Sequence, residues 1–259
     1  MIVRDLDEAT YHADRTTLSH SGAKTLLRAP AQFRYEQDNP PAPTPAMEFG
    51  SIVHSLILGV GAKWRVIDGG RGRGGLEAEA RADGLIPITT NDYQRALDMA
   101  NAVNAHPEAA QLLAGAPDRE VSMYADDPAT GTRLRCRFDA LADTYAVDLK
   151  TTTDASPAAF GRTAVTFGYA SQDAWYRDLA DLNDHPLTAF AFVLVDKTPP
   201  HLVAVVELDD ASREYGRRRN RRAIDTYARC VESGEWPGFP GFQTVSVPRW
   251  ALYEEGITP

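Results

Sequence analysis

The stretch from Arg133 to Thr153, RLRCRFDALADTYAVDLKTTT, constrains the fold of this chain more than any other. Arg133, Arg135, Arg137 and Asp139 alternate with Leu134, Cys136 and Phe138, so in an extended chain the charged residues share one face. In the second half Asp148 and Lys150 point one way, Val147 and Leu149 the other. A turn at Ala142-Asp143-Thr144 lays the end of the first strand beside the second, and Asp139, Asp148 and Lys150 then converge on one patch of sheet. Two carboxylates and an ammonium so placed suit a hard divalent cation and an anionic substrate. Asp-x-Lys on a strand is equally the pattern of a solvated ion pair, so the spacing alone leaves both readings open.

On either side of this hairpin the periodicity predicts further elements. A helix capped by Ser19 or Ser21 ends near Ala29-Pro30, and a second turn starts at Pro30. The proline-rich 39–45 is a loop. Residues 46–58 read as a helix whose apolar stripe is Met47, Phe49, Ile52, Val53, Leu56 and Ile57, with His54 one residue off it. GGRGRGG at 69–75 reads as a loop tip whose Arg71 and Arg73 could touch phosphate, with a short helix over 77–82. Its spacing matches no nucleotide fingerprint, because a phosphate cradle needs a strand before it and a helix N-terminus directly after. A capped helix over 90–104 and a turn or two over 107–114 follow. Residues 119–125 alternate as a strand with Val121 and Met123 inward, and DDPATG turns the chain into the hairpin.

Beyond Thr153 a helix over 171–183 places Gln172 and Tyr176 on one face. The run 187–195 is apolar on both faces and reads as a central strand. A strand over 202–208 and a helix from Asp209 to about Glu232 complete the pattern. The helix is expected to turn Ala211, Tyr215, Ile224, Tyr227, Ala228 and Val231 inward. Its arginines between Arg213 and Arg222 are either a solvated face or a DNA contact. The tail from Gly234, rich in proline, glycine and aromatics, reads as an extended arm. The fold class expected is α/β, a mixed central sheet flanked by helices. It is read as a single domain over 1–259, divided into N-terminal helices 1–118, a sheet core 119–208 and a C-terminal helix with arm 209–259.

Composition bounds the function. A chain of 259 residues, 43% hydrophobic and 24% charged, is an ordinary globular sequence. No apolar run approaches the ~20 residues that span a bilayer, and MIVRDLDEATYHADRTT has no signal-peptide core, so no membrane and a cytoplasmic location are expected. Cys136 and Cys230 are too few for a disulfide framework or a four-cysteine cluster. The net charge of −9 argues against a generally basic surface, while the clustered arginines leave room for a local basic channel.

His54, Glu120, Asp139, Asp148-Leu149-Lys150 and Gln172-x-x-x-Tyr176 fall in an order that resembles the PD-(D/E)XK nuclease superfamily. More narrowly they resemble its RecB-like branch. LSHSGAKTLLRAPAQF is similar to that branch's N-terminal helix and FGSIVHSLILG to its histidine helix, while ESGEWPGF is similar to the closing segment of the RecE-like exonucleases (exodeoxyribonuclease VIII). The resemblance implies a restriction-endonuclease-like core in which Asp139 and Asp148 hold Mg²⁺ or Mn²⁺, with His54 and the Leu149 carbonyl as further ligands. Lys150 would position or deprotonate the attacking water, or stabilise charge on phosphorus. Gln172 and Tyr176 would brace the Asp-x-Lys strand near the phosphate. Glu120 is either a second-metal or water ligand, or a structural partner of an arginine. Ser19, Ser21, Arg71, Arg73 and Arg137 are candidate DNA contacts, with helix capping the plainer role of the serines. The resemblance further implies 5′-to-3′ digestion of linear duplex DNA, a ring-shaped homo-oligomer of four copies, and a single-strand annealing partner. Two other readings keep the same fold: a silent module binding DNA or protein, and an endonuclease acting on branched or single-stranded DNA.

Overall fold

A computed structural model of the chain describes residues 1–68 and 73–258. Its strands in chain order are β1 (Ile2–Val3), β2 (Leu18–Ser19), β3 (Trp64–Val66), β4 (Ile86–Ile88), β5 (Asp118–Asp126), β6 (Arg133–Leu141), β7 (Tyr145–Thr152), β8 (Ala189–Asp196) and β9 (Val203–Val206). Its helices are α1 (Glu8–Ala13), α2 (His20–Arg28), α3 (Pro30–Asp38), α4 (Pro45–Leu58), α5 (Arg73–Ala82), α6 (Thr90–Ala105), α7 (Pro107–Gly115), α8 (Pro157–Phe167), α9 (Tyr169–Asp181), α10 (Asp210–Ser233) and α11 (Arg249–Glu254).

Seven strands form one mixed, mostly antiparallel sheet in the order β1-β5-β6-β7-β8-β9, with β2 lying beside β6; β3 and β4 pair separately. The β5–β6 hairpin is fixed by its turn. Asp127 accepts hydrogen bonds from the Thr130 amide and hydroxyl, and Gly131 supplies the left-handed φ of 68°. Parallel pairing of β7 with β8 requires a crossover, which α8 and α9 provide.

The sheet is covered on both faces, which explains why β8 is apolar throughout. Phe190, Phe192 and Leu194 join a core with α2, α8, α9 and α10, whereas Val193 and Val195 join the opposite core with α4, α6 and α7. The period of two also divides β7: Val147 and Leu149 enter the second core while Asp148 and Lys150 face α9. Trp175 of α9 is buried and its indole N–H donates to the Arg135 carbonyl at 2.9 Å, tying this helix to the strand that carries Asp139. Burying such a ring is worth about 2–3 kcal/mol.

Several local expectations change. The inner face of α10 is Gly216, Asn220, Ala223, Ile224 and Cys230, not the stripe through Ala211, Tyr215 and Val231, which is exposed. Close approach to α9 is the reason: a Cβ at Gly216 would meet the Ala170 carbonyl oxygen at 2.1 Å, and Asn220 donates to the Ser171 carbonyl one turn later. Most of this helix's arginines are held by carboxylates, Arg217 by Asp178, Arg218 by Glu214 and Arg221 by Asp127. Helix α5 starts at Arg73, so Gly74 and Gly75 are helical, and Met47 is exposed rather than part of the α4 stripe. Helix α8, unforeseen, opens with a Ser156 cap and Pro157 at its first turn and closes at left-handed Gly168. The arm is anchored by Trp236, which stacks on Phe33, and beyond it Phe239, Phe242 and Trp250 are exposed.

Candidate active site

Strands β6 and β7 pair only at Ala140↔Val147 and Leu141↔Ala146 and then part. Short β2 takes the vacated edge of β6, while β7 continues along β8. Asp139 stands at the fork. Its Oδ2 accepts the Leu149 N–H at 2.8 Å, replacing the ladder bond that the fork removes. A backbone donor therefore fixes the carboxylate against the strand carrying Asp148 and Lys150.

Asp148 is 3% exposed. Its Oδ1 accepts from Gln172 Nε2 at 2.6 Å, and its Oδ2 is ion-paired to the Lys150 ammonium. That ammonium also lies 4.9 Å from the ring centroid of Tyr169, the first residue of α9. From the other side, α4 delivers His54, whose Nδ1 is 3.5 Å from Asp139 Oδ2. Ile52 and Val53, both buried, fix the rotation of α4 that aims the next residue at the fork.

The electrostatics are unbalanced. Burial, and after it the charge of Asp148, push the Asp139 carboxyl well above the usual carboxylate range. Burial acts to lower the Lys150 ammonium, but Asp148 and Asp139 outweigh it and hold the proton more firmly than in water. Burial, then Lys150, bring the His54 imidazole down to about 4, leaving a neutral ring with a free lone pair at pH 7. Two carboxylates thus face one ammonium, with an uncharged nitrogen donor alongside. Such an oxygen-rich set with excess negative charge fits a hard divalent cation, which would relieve the repulsion that raises Asp139. Among the described residues no three His, Cys, Asp or Glu side chains stand gathered as a preformed cage; Lys150 closes the corner instead.

The remaining expected residues separate into groups. Glu120, on β5 beside Asp139, accepts from Arg137 Nε at 2.6 Å, the structural partnership foreseen as its second reading. Its φ of 51° is strained for a glutamate, and its charge adds to the raising of Asp139. Arg137 is thus ion-paired through Nε, while its Nη1 has no hydrogen-bond partner. Gln172 braces Asp148, but its helical partner Tyr176 packs edge-on against Phe138 at 4.9 Å and Phe190 at 5.7 Å, an aromatic packing role. Ser19 caps α2, accepting from Gly22 N, and Ser21 hydrogen-bonds Ser19. Arg73 pairs with Glu77 on α5, and Arg71 lies outside the described residues. Arg135 is buried and donates to the carbonyls of Tyr11 and Asp14, so it faces the N-terminal segment and not the fork.

Two neighbours escaped the sequence reading. Tyr169 bears on Lys150, and its place three residues before Gln172 was the available signal. His20 Nε2 lies 3.0 Å from Ser171 Oγ, and burial, then Lys24 and Lys150, bring its imidazole down to about 3.

Comparison with known proteins agrees with this architecture. A candidate exonuclease from Eubacterium rectale superposes over 96% of this chain and 98% of its own with a TM-score of 0.67, at 14% identity. The alkaline exonuclease LHK-Exo from Laribacter hongkongensis aligns over 73% of this chain and 95% of its own at 15% identity, with a TM-score of 0.29. No curated protein matches the sequence. The family model described as a PDDEXK-like domain of unknown function (DUF3799) matches residues 19–242. The chain, with its forked sheet and its Asp139, Asp148 and Lys150, belongs to this PDDEXK-like family.

Proposed function

We propose that the protein is a metal-dependent deoxyribonuclease that hydrolyses phosphodiester bonds at the fork between β6 and β7. The observation that carries this reading is the meeting of partly buried Asp139 and buried Asp148 beside one ammonium, Lys150, with a neutral His54 alongside. Asp139, Asp148, His54 and the Leu149 carbonyl would hold Mg²⁺ or Mn²⁺. A cation held by these residues would supply a more acidic coordinated water and polarisation of the scissile phosphate.

The chain's own residues do the rest. Gln172 holds Asp148 in one rotamer, so the carboxylate does not need to reorganise during the reaction. The Leu149 amide does the same for Asp139. In the metal-free site the carboxylates hold the Lys150 proton firmly, which supports a role in stabilising charge on the phosphoryl oxygens over one in taking a proton from water. Buried Val147 and Leu149 anchor the strand that presents it.

The finer substrate assignment follows the RecE-like resemblance: an exonuclease that resects linear duplex DNA 5′ to 3′, works as a ring-shaped homo-oligomer of four copies, and hands its product to an annealing protein. End-labelled linear duplex and covalently closed duplex, each incubated with Mg²⁺ or Mn²⁺, test it. Digestion of linear DNA alone is the expected result. Cutting of closed circles would make it an endonuclease, and no metal-dependent cleavage of either would leave a silent binding module.

A further inference from the structure

The corner that holds Lys150 opens to the surface along a run of aromatic rings. Tyr169, whose face receives the Lys150 ammonium at 4.9 Å, is stacked on Phe167 with ring centroids 5.9 Å apart and planes 27° apart. Phe160 stacks on Tyr169 at 6.0 Å and 17° from beneath and is buried. Phe167 is 53% exposed, as is its neighbour on α8, Val165, at 57%. Phe167 and Val165 together leave apolar surface in solvent, and the ring is held rigidly by its stack.

The rigidity has a backbone cause. Gly168 separates the two rings at φ 83°, ending α8 and starting α9 in one residue. A Cβ there would come within 3.4 Å of the Lys24 side chain and 3.3 Å of Ser171 Oγ. Lys24 in turn donates to the Phe167 carbonyl at 3.3 Å. Two ammonium groups therefore stand near the pair, Lys24 at the Phe167 backbone and Lys150 over the Tyr169 ring. An apolar protein partner has no use for that pairing. A nucleic-acid strand has, since its bases stack on rings while its phosphates sit beside ammonium groups.

Resting on the nuclease reading, we propose that Phe167, backed by Tyr169, forms a stacking platform for an unpaired nucleobase next to the scissile phosphate. The substrate strand is single-stranded at the point of reaction, as a separated strand at a duplex end is. The platform is sequence-tolerant, because every base offers a π-face.

The test uses full-length protein and linear DNA with 2-aminopurine in a short unpaired end. Binding is read by fluorescence in Ca²⁺ and cleavage after Mg²⁺ is added. The platform predicts quenching of 2-aminopurine by the wild type, loss of quenching and about a tenfold rise in KM for Phe167→Ala, and recovery of both by Phe167→Trp. Phe167→Ala that quenches and binds like the wild type would overturn the proposal. So would a Phe167→Ala protein whose only change is its sedimenting mass, which would make the patch a contact between protein chains. Quenching that depends on Phe167 without cleavage of any DNA keeps the platform and removes the nuclease reading. Cleavage without quenching does the reverse.

Discussion

Helix α9 borders two buried clusters of charge, one at Gln172 and one at Asp173. They differ in a way that separates chemistry from architecture. At the second, Arg177 donates to Asp173 at 2.6 Å, to the Leu187 carbonyl at 2.8 Å and to Glu207 at 2.7 Å, and Arg213 approaches Glu207. Within it Asp173 and Glu207 meet two guanidinium groups, Arg213 being paired also with solvent-exposed Asp210, and the cluster locks α9 to the sheet. At the first, Asp139 and Asp148 meet Lys150 alone. Asp148 Oδ2 is held by the Lys150 ammonium whereas Asp173 Oδ2 has no hydrogen bond, so an orphaned carboxylate oxygen does not mark the reactive cluster. Burial also raises Asp173, to about 6. What differs is the balance of charge and the forked strands, which leave the first cluster in need of a cation and within reach of one.

Substitutions sharpen that comparison. Asp148→Ala is expected to lower metal-dependent cleavage of linear duplex by a thousandfold or more while circular dichroism stays native; retained cleavage would place the chemistry elsewhere. Arg177→Met in the balanced cluster is expected to cost roughly 3–5 kcal/mol in urea unfolding, since it strands Asp173 without its counter-charge. Gln172→Leu removes the brace on Asp148 and should reduce the cleavage rate about 10- to 100-fold with a much smaller loss of stability. An equal loss of stability in Gln172→Leu and Arg177→Met would erase the distinction between the clusters.

The pH dependence of stability offers a smaller effect. Burial works to raise Asp14, but hydrogen bonds from Thr17 and Thr16 outweigh it and bring it down to about 2. Its folded pKa lies below the unfolded 3.8, so its contribution is present above pH 3.8 and lost as pH falls through 2. Asp14→Asn should therefore cost about 2 kcal/mol at pH 7, and the gap between variant and wild type should narrow from pH 4 to pH 2.5. A gap independent of pH would show that the charge of Asp14, including its pairing with Arg135 at 3.3 Å, is not what the substitution removes.

The first cluster was legible in the sequence because strand periodicity is local: Asp139, Asp148 and Lys150 could be set on one patch from alternation and a short turn. His54 was legible as a residue beside an apolar stripe. The fork was not, since it depends on β2 joining β6 from more than a hundred residues away. The stripe on α10 was misread for a related reason. Helix approach there is set by Gly216 against Ala170, and a close contact selects small and amide side chains that hydropathy does not mark. Tyr176 was grouped with Gln172 by helical spacing and by the Gln-x-x-x-Tyr resemblance, and its ring packs against Phe138 and Phe190 while its hydroxyl feels the charges of Asp148 and Asp139.

The most direct measurement of the claim about the fork is calorimetric titration of Mn²⁺ into the wild type and Asp139→Asn, alongside their unfolding free energies without metal. Asp139→Asn keeps an acceptor for the Leu149 amide but removes one of two crowded charges. It should lose the binding heat and unfold about 1 kcal/mol later than the metal-free wild type. A variant that binds Mn²⁺ like the wild type would contradict a cation held between Asp139 and Asp148.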